Sequence, residues 1–453
     1  MGQDARATDD DAESVGETGT DPPAATAERA DDGATAEPAE LRLGGVVHEL
    51  RAPGADGEER ATVAGYDPAV VLDAALGWAR DRDYAGYDPY DGLNSPILSA
   101  IARRPIARLV AIHGVQASPV NLRPALGVPR ERNPKGIGLF ATAYLNRYEL
   151  TGDRASLAEA ERLLDWLAEH TSEAFDRPSW GYNFDWQNST KFFLPAGHPC
   201  GVVTVFCARA FLRHHRLTGS ERSLSIARGA ASFLLEDLET VRVGEYDALS
   251  YTPYDSYVAV NANALAGDHL LAVADAVGDD ALRDRGERLV EFVIDEQTEE
   301  GGWHYSVPAS DSHLGYDNFH TGFVLESLSR YAEGRSPDHP ARRAYERGMA
   351  FHREHHFEPD GAPKFEHDRS HPYDAHAAAQ ALITFTRRDD PADREVTRRV
   401  LGWSLEHLYD PDGYFYRRIG RALTDRTPYI RWSQAWMCLA LSEYLLRTAE
   451  DRP

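Results

Sequence analysis

Lysine is nearly absent. Only Lys135, Lys191 and Lys364 occur in 453 residues, so arginine supplies almost all of the 48 basic side chains set against 73 acids. A formal net charge of −25 with no basic stripe offers nothing to a phosphate backbone, which excludes nucleic acid as a partner. A chain this acidic and this poor in lysine suits a salt-rich cytoplasm, where screening makes a large net charge tolerable. The densest basic stretch, RRPIARL at 103–109, is short and reads as solvated helix surface.

Cysteine is scarce as well. Cys200, Cys207 and Cys438 form no CxxC pair and no even disulfide set, which fits a reducing compartment. The opening residues MGQDARATDDDAESVGETGT carry neither the basic nor the apolar region of a secretory signal, and no apolar run reaches the length of a membrane span. The expectation is a cytoplasmic protein with no transmembrane segment. No GxGxxG, Walker A or GxSxG sequence is present, so no cofactor is expected from motifs. Residues 1–60 are Ala, Asp, Glu, Gly and Thr with almost no aromatics, a composition that reads as a disordered acidic tail. A single folded domain, 61–453, is expected beyond it, its body starting near Tyr66.

What the chain does contain is a repeat. Apolar and small-residue runs begin near 136, 201, 256, 321, 375 and 433, about 65, 55, 65, 54 and 58 residues apart. Between them lie amphipathic helices. SLAEAERLLDWLAEH puts Leu157, Ala160, Leu164 and Leu167 on one stripe, and 282–296, 394–409, 68–82, 220–236 and 339–356 fit the same pattern. Inner helices apolar all round, alternating with half-exposed outer ones, close most simply into an all-α (α/α)6 toroid with short β-hairpin loops at its funnel mouth.

The segments between each outer helix and the next inner helix then gather on one face. They carry Asp185, Asp255, Asp317, Asp374 and Arg431, with Tyr182, Trp186, Tyr254, His304, Tyr305, His320, Tyr373, His376 and Trp432 beside them. Upstream, GYDPYDGLNSP adds Tyr87, Asp88, Tyr90 and Asp91. Aromatic rings next to carboxylates suit a sugar, whose C–H faces stack on rings while its hydroxyls need hydrogen-bond partners. Any one Asp before a helix is commonly an N-cap, and Trp303 reads as hairpin packing. His304 and Tyr305, adjacent on an extended segment, point opposite ways, so at most one faces a ligand. Cys200 and Cys207 read as core.

Metal binding is weighed and set aside. Glu366, His367, Asp368, His371, Asp374 and His376 match no zinc spacing, and His352, His355 and His356 read as the surface end of an outer helix. Two chemistries remain open. Hydrolysis would pair Asp88 or Asp91 with Asp317 or Asp374, and is placed slightly ahead. Proton abstraction next to a uronate carboxylate, as in a C5-epimerase or lyase, would draw on Tyr254, His304, Tyr305, His320 and Arg431. A non-catalytic glycan-binding scaffold is the third reading.

The six-fold hairpin pattern with acid-bearing, aromatic entrances resembles the (α/α)6 carbohydrate-active enzymes: glycoside hydrolases, unsaturated glucuronyl hydrolases, polysaccharide lyases and uronate epimerases. YDPYDGLNSP with DNFHTGF in a lysine-poor acidic body looks more specifically like proteins found with haloarchaeal and bacterial surface-glycan assembly genes, including a component of haloarchaeal N-glycosylation. The resemblance spans about residues 66–448. It implies a free or lipid-linked oligosaccharide as substrate.

Overall fold

The computed structural model describes residues 41–43, 46–48, 62–118, 120–187, 189 and 192–450. In the segment read as an acidic tail, β1 (Leu41–Leu43) and β2 (Val46–His48) pair antiparallel with Leu41 opposite His48. The other residues of that segment lie outside the described ones.

From residue 62 the chain is mainly helical. α1 (Pro68–Arg80) starts with Asp67 as N-cap and Pro68 in the first turn. After a 3-10 turn at Asp91–Asn94 come two short helices that the repeat did not foreshadow, α2 (Pro96–Ile101) and α3 (Pro105–Ala117). Regular alternation follows with α4 (Pro134–Thr151), α5 (Arg154–Glu169), β3 (Trp186–Gln187), β4 (Phe193–Leu194), α6 (Gly201–Thr218) and α7 (Glu221–Glu236). Next are β5 (Thr240–Val243), β6 (Tyr246–Leu249), β7 (Val258–Ala259), α8 (Val260–Val277), α9 (Asp280–Asp295), β8 (Ser306–Val307), α10 (Asn318–Ala332) and α11 (Pro340–His355). The chain closes with β9 (Tyr373–Asp374), α12 (Ala375–Phe385), α13 (Pro391–His407), β10 (Tyr409–Asp410), β11 (Tyr414–Phe415), β12 (Arg418–Ile419), β13 (Thr424–Asp425) and α14 (Trp436–Glu450).

Helices α4, α6, α8, α10, α12 and α14 each pack on the next, and α14 returns to α4. This is the inner ring. α5, α7, α9, α11 and α13 lie outside it, each against the inner helix that precedes it, while α1 covers α14. The architecture is the expected (α/α)6 toroid, closed by α1 against α14. The burial patterns explain the sorting: α8 is buried without a break from Val260 to Leu270, whereas α5 buries the stripe Leu157, Ala160, Leu163, Leu164 and Leu167. Inner helices end abruptly. Gly152 and Gly219 take the left-handed conformation at φ of 68° and 74°, and the next residues, Asp153 and Ser220, already cap the following outer helix. Tight turns therefore occupy one end of the toroid and the long loops, with their short two- and three-stranded sheets, occupy the other. Among the described residues no helix is long and apolar enough to cross a membrane.

Within the inner ring, from the helix midpoints toward their C-termini, charged groups interlock. Asp268 accepts from Arg330 Nε at 2.5 Å and Arg209 Nη2 at 2.6 Å, and Arg387 reaches Glu326 at 3.3 Å and Glu443 at 3.9 Å. Asn146 Nδ2 donates to Glu443 at 3.2 Å. Burial opposes these charges, but the arginines outweigh it and hold Asp268 well below the usual carboxylate range and Glu326 at about 2.

One expectation fails. His352 and His356 are fully buried rather than at the surface, with His352 stacked on Phe385 at 5.2 Å. An outer helix still buries one stripe, and His352 falls on it with Ala341, Tyr345 and Gly348. His356 Nε2 lies 2.9 Å from the Tyr316 carbonyl. Burial holds His269 and His356 at about 4 and lowers His352 and His376 well below the usual imidazole range. The unfolded chain takes these protons near pH 6.5 and the folded one does not, so stability falls as pH drops from about 6.5 toward 4. Each site contributes about 1.4 kcal/mol per pH unit in that window. Asp91, raised to about 6 by burial, works in the opposite sense because the folded protein takes its proton first. Four histidines against one such strongly shifted carboxyl predict a melting temperature that falls steadily from pH 7 to pH 5. A flat profile in thermal melts would contradict this.

Candidate active site at the mouth of the inner ring

The last inner helix enters through a π-helical turn, Ile430–Ala435, which brings Arg431 and Trp432 together into the buried interior. Ile430 N donates to the Tyr87 carbonyl at 3.1 Å and so ties the upstream YDPYD segment to this turn. Arg431 then donates to both oxygens of Asp88, at 2.6 and 2.8 Å, with both side chains buried. Although burial opposes its charge, Asp88 raises Arg431 above its ordinary value. Asp91 is held by Arg123 Nε at 2.5 Å and accepts from the Asp88 backbone N–H at 2.8 Å. Arg123 also donates to the Tyr429 hydroxyl at 2.7 Å. Both YDPYD carboxylates are thus engaged by arginines.

A floor of rings lies beside this pair. Phe319 on α10 packs between His320, 4.1 Å away by ring centroid, and His376 on α12, 4.3 Å away. His376 stacks on Trp436 at 4.4 Å and meets the edge of Trp432 at 4.7 Å, and Trp432 meets Tyr90 at 5.6 Å. Tyr305 lies over His320 at 4.5 Å, whereas His304 turns away onto Tyr316, as adjacent extended residues must. Asp317 and Asp374 both cap their helices, accepting from His320 N at 3.0 Å and His376 N at 2.9 Å. Each also does something a cap does not require: Asp317 Oδ2 lies 2.8 Å from His320 Nδ1, and Asp374 accepts from Trp432 Nε1 at 2.7 Å. The His320 side chain keeps 17% exposure, so it is reachable from the mouth.

Two features stand out. Both ring nitrogens of His376 are buried and lack a hydrogen-bond partner. Burial first, then Lys135, Arg431 and His320, keep this imidazole neutral. Lys135, one of only three lysines, is buried in the first turn of α4 with its Nζ 4.2 Å from the Phe206 ring centre and 5.1 Å from that of Trp436. Burial, then Arg431, lowers its proton affinity well below the usual amine range. Sequence reasoning missed Lys135. Its position as a lysine opening an inner helix in a lysine-poor chain was the available signal.

The remaining candidates form the rim. Tyr182 lies under Arg431 at 5.2 Å and beside Trp186 at 5.7 Å, which continues to Tyr251 at 5.8 Å. Asp185 accepts from Ala196 N and braces the β3–β4 hairpin, and Asp255 accepts from Tyr257 N and Thr252 within its own loop. Tyr254 is 52% exposed against His198, Tyr373 faces Glu358, and Tyr87 carries Arg130 over its ring. A cleft of about 660 Å³, lined by Arg130, Glu131, Trp166, Asn183 and His198, meets the central cluster at Tyr182. That volume suits a small saccharide. Among the described residues no group of three His, Cys, Asp or Glu side chains is placed to hold a metal ion, and Glu366 instead pairs with Arg369 at 2.5 Å.

No family model matches the chain and no curated protein matches it. Solved structures do. A cellobiose 2-epimerase from Bacillus thermoamylovorans superposes with a TM-score of 0.53 at 12% identity, covering 69% of this chain and 88% of the other. A D-mannose isomerase gives 0.55 at 14% identity over 70% and 88%. A possible member of the GH105 family from Salmonella enterica gives 0.53 at 11% identity over 87% and 96%. At these identities the likeness establishes the shared toroid.

Proposed function

We propose that this protein is a carbohydrate-active enzyme that moves a proton at a sugar carbon adjacent to a carbonyl, an epimerase- or isomerase-type reaction, with His320 and His376 as its acid–base pair. The observation that carries this reading is the placement of the two imidazoles on adjacent inner helices around Phe319, one backed by Asp317 and the other neutral with both nitrogens unengaged. His320, backed by Asp317 and still 17% exposed, is the imidazole placed to take the carbon-bound proton, since the burial and cations around His376 oppose its protonation. The electron pair moves onto the carbonyl oxygen to give an enediolate, and the second imidazole returns a proton to carbon. Arg431 uses Nε and Nη2 on Asp88, which leaves Nη1 to face the developing oxyanion or a sugar carboxylate.

The hydrolytic reading has less support from the geometry. It needs an acid and a base or nucleophile left available across the sugar, but Asp88 and Asp91 are bound by arginines and Asp374 by an indole and a helix N-terminus. An oligosaccharide substrate, free or lipid-linked, agrees with the aromatic rim at Tyr182, Trp186 and Tyr251. A place in surface-glycan assembly rests on the resemblance drawn from YDPYDGLNSP and DNFHTGF.

Incubation of candidate aldoses, disaccharides and uronate-containing oligosaccharides in deuterated water, read by NMR, tests the proposal. Deuterium at the carbon next to the carbonyl or carboxylate is expected. Released reducing ends without exchange would favour hydrolysis, and binding without any product would favour a scaffold.

A further inference from the structure

The strongest feature outside the central cluster is a patch on α2, α3 and the loop after them. Ile97, Ile101, Ile106, Val110, Val120 and Leu122 are 54%, 71%, 68%, 67%, 66% and 40% exposed, six of the nine exposed large apolar side chains among the described residues. α3 is apolar on two sides: Ile112 and Val115 face inward, while Ile106 and Val110, one turn apart, face out. α2 repeats the outward pair with Ile97 and Ile101 and buries no residue of its own.

Charge singles out the same segment. In a chain of net charge −25, residues 92–130 contain no Asp or Glu at all, yet hold Arg103, Arg104, Arg108, Arg123 and Arg130. Arg103 and Arg104 are exposed between the two helices, and among the described residues neither has an acid partner. Arg123 is spent on Asp91, and Arg108 is anchored to Gln187 at 3.3 Å with its guanidinium over Phe193. The anchoring fixes where the patch sits: Gln187 and Phe193 belong to the β3–β4 hairpin, whose Trp186 lines the rim. An acidic protein has kept one acid-free, arginine-bearing segment with an apolar face beside its mouth.

The geometry points to this face as a docking surface for a bilayer with anionic headgroups, into which Ile97, Ile101, Ile106 and Val110 insert shallowly while Arg103 and Arg104 meet lipid phosphates. Apolar insertion combined with basic residues at the headgroup level is the pattern of peripheral membrane binding. An acidic protein partner would be served by the arginines without the isoleucines, and a second copy of this chain would bring like charges together. Docking would turn the mouth toward the membrane. The inference does not depend on which reaction the site performs.

Vesicle co-sedimentation of the full chain tests it, with phosphatidylcholine vesicles set against vesicles that also contain phosphatidylglycerol. Wild type is expected to bind the anionic vesicles and not the neutral ones. Arg103→Gln with Arg104→Gln should weaken binding by roughly thirtyfold, and Ile106→Ser with Val110→Ser by about tenfold. All four side chains project from the surface, so circular dichroism should show both variants folded. Absence of wild-type binding to anionic vesicles, or equal binding by the variants, would overturn the inference. So would a wild-type dimer in sedimentation equilibrium that the Ile106→Ser, Val110→Ser variant dissociates.

Discussion

Asp268→Asn is expected to lower the unfolding free energy by about 3–5 kcal/mol, a large share of the stability of an ordinary domain. The carboxylate sits between Arg209 and Arg330 with its side chain 6% exposed. The amide keeps the size but removes the charge, and two half-buried guanidinium groups lose their nearest counter-ion. The remaining acids compensate only in part: Glu326 reaches Arg209 at 3.4 Å and Arg330 at 3.5 Å but also serves Arg387 and Gln380, and Glu443 answers Arg447. Chemical denaturation at pH 7 reads the effect directly, and a loss below about 1 kcal/mol would show that the pairs are solvated and weak. The network also has a defined acid limit. Asp268 and Glu326 are depressed below their unfolded values, so their contribution is complete above about pH 4 and is lost only as pH falls below it. It is therefore separable from the histidine-driven loss that begins near pH 6.5.

His376→Asn and His320→Asn should each reduce turnover by about 10²–10⁴-fold once an accepted sugar is found, with little change in KM. The two variants differ in a way that identifies roles. In D2O, a variant that lacks the abstracting base loses exchange of the carbon-bound proton. One that lacks only the returning acid retains exchange from the substrate side while net conversion stops. Asp317→Asn should act more mildly, since Asp317 positions His320 through Nδ1, and it should shift the pH–rate profile. Full activity in both histidine variants would remove the proton-transfer reading.

The toroid was legible because its signals are local and repeated. α5 shows its stripe in sixteen residues, and Gly152 followed by Asp153 marks a stop and a start that side-chain chemistry alone enforces. The histidines of α10 and α12 were legible for the same reason, lying in the first turns of helices whose starts could be placed. Pairings across the chain were not. Arg431 and Asp88 stand 343 residues apart, and nothing near either position announces the other. Lys135 was hidden by an assumption about residue type, since a lysine near a helix start ordinarily projects to solvent. His352 was misplaced because the end of an outer helix, away from the mouth, suggested surface, while its own position continues the buried stripe through Tyr345 and Gly348. α2 and α3 broke the period and so escaped it.

Closure of the ring by α1 against α14 has a consequence for how the molecule is made. These helices are the first and last of the toroid, so their contact spans nearly the whole folded sequence. During synthesis five hairpins can form as they emerge, each on its predecessor, while α1, tied early to α4 by the Asp73–Arg147 pair, waits for α14 to cover its apolar face. Until then α4 and α12 present bare apolar flanks where α14 will lie, and those flanks can pair with another nascent chain. Arg431 arrives on the same late segment. Asp88 therefore waits uncompensated through most of synthesis, and the mouth becomes electrically complete only in the step that closes the ring.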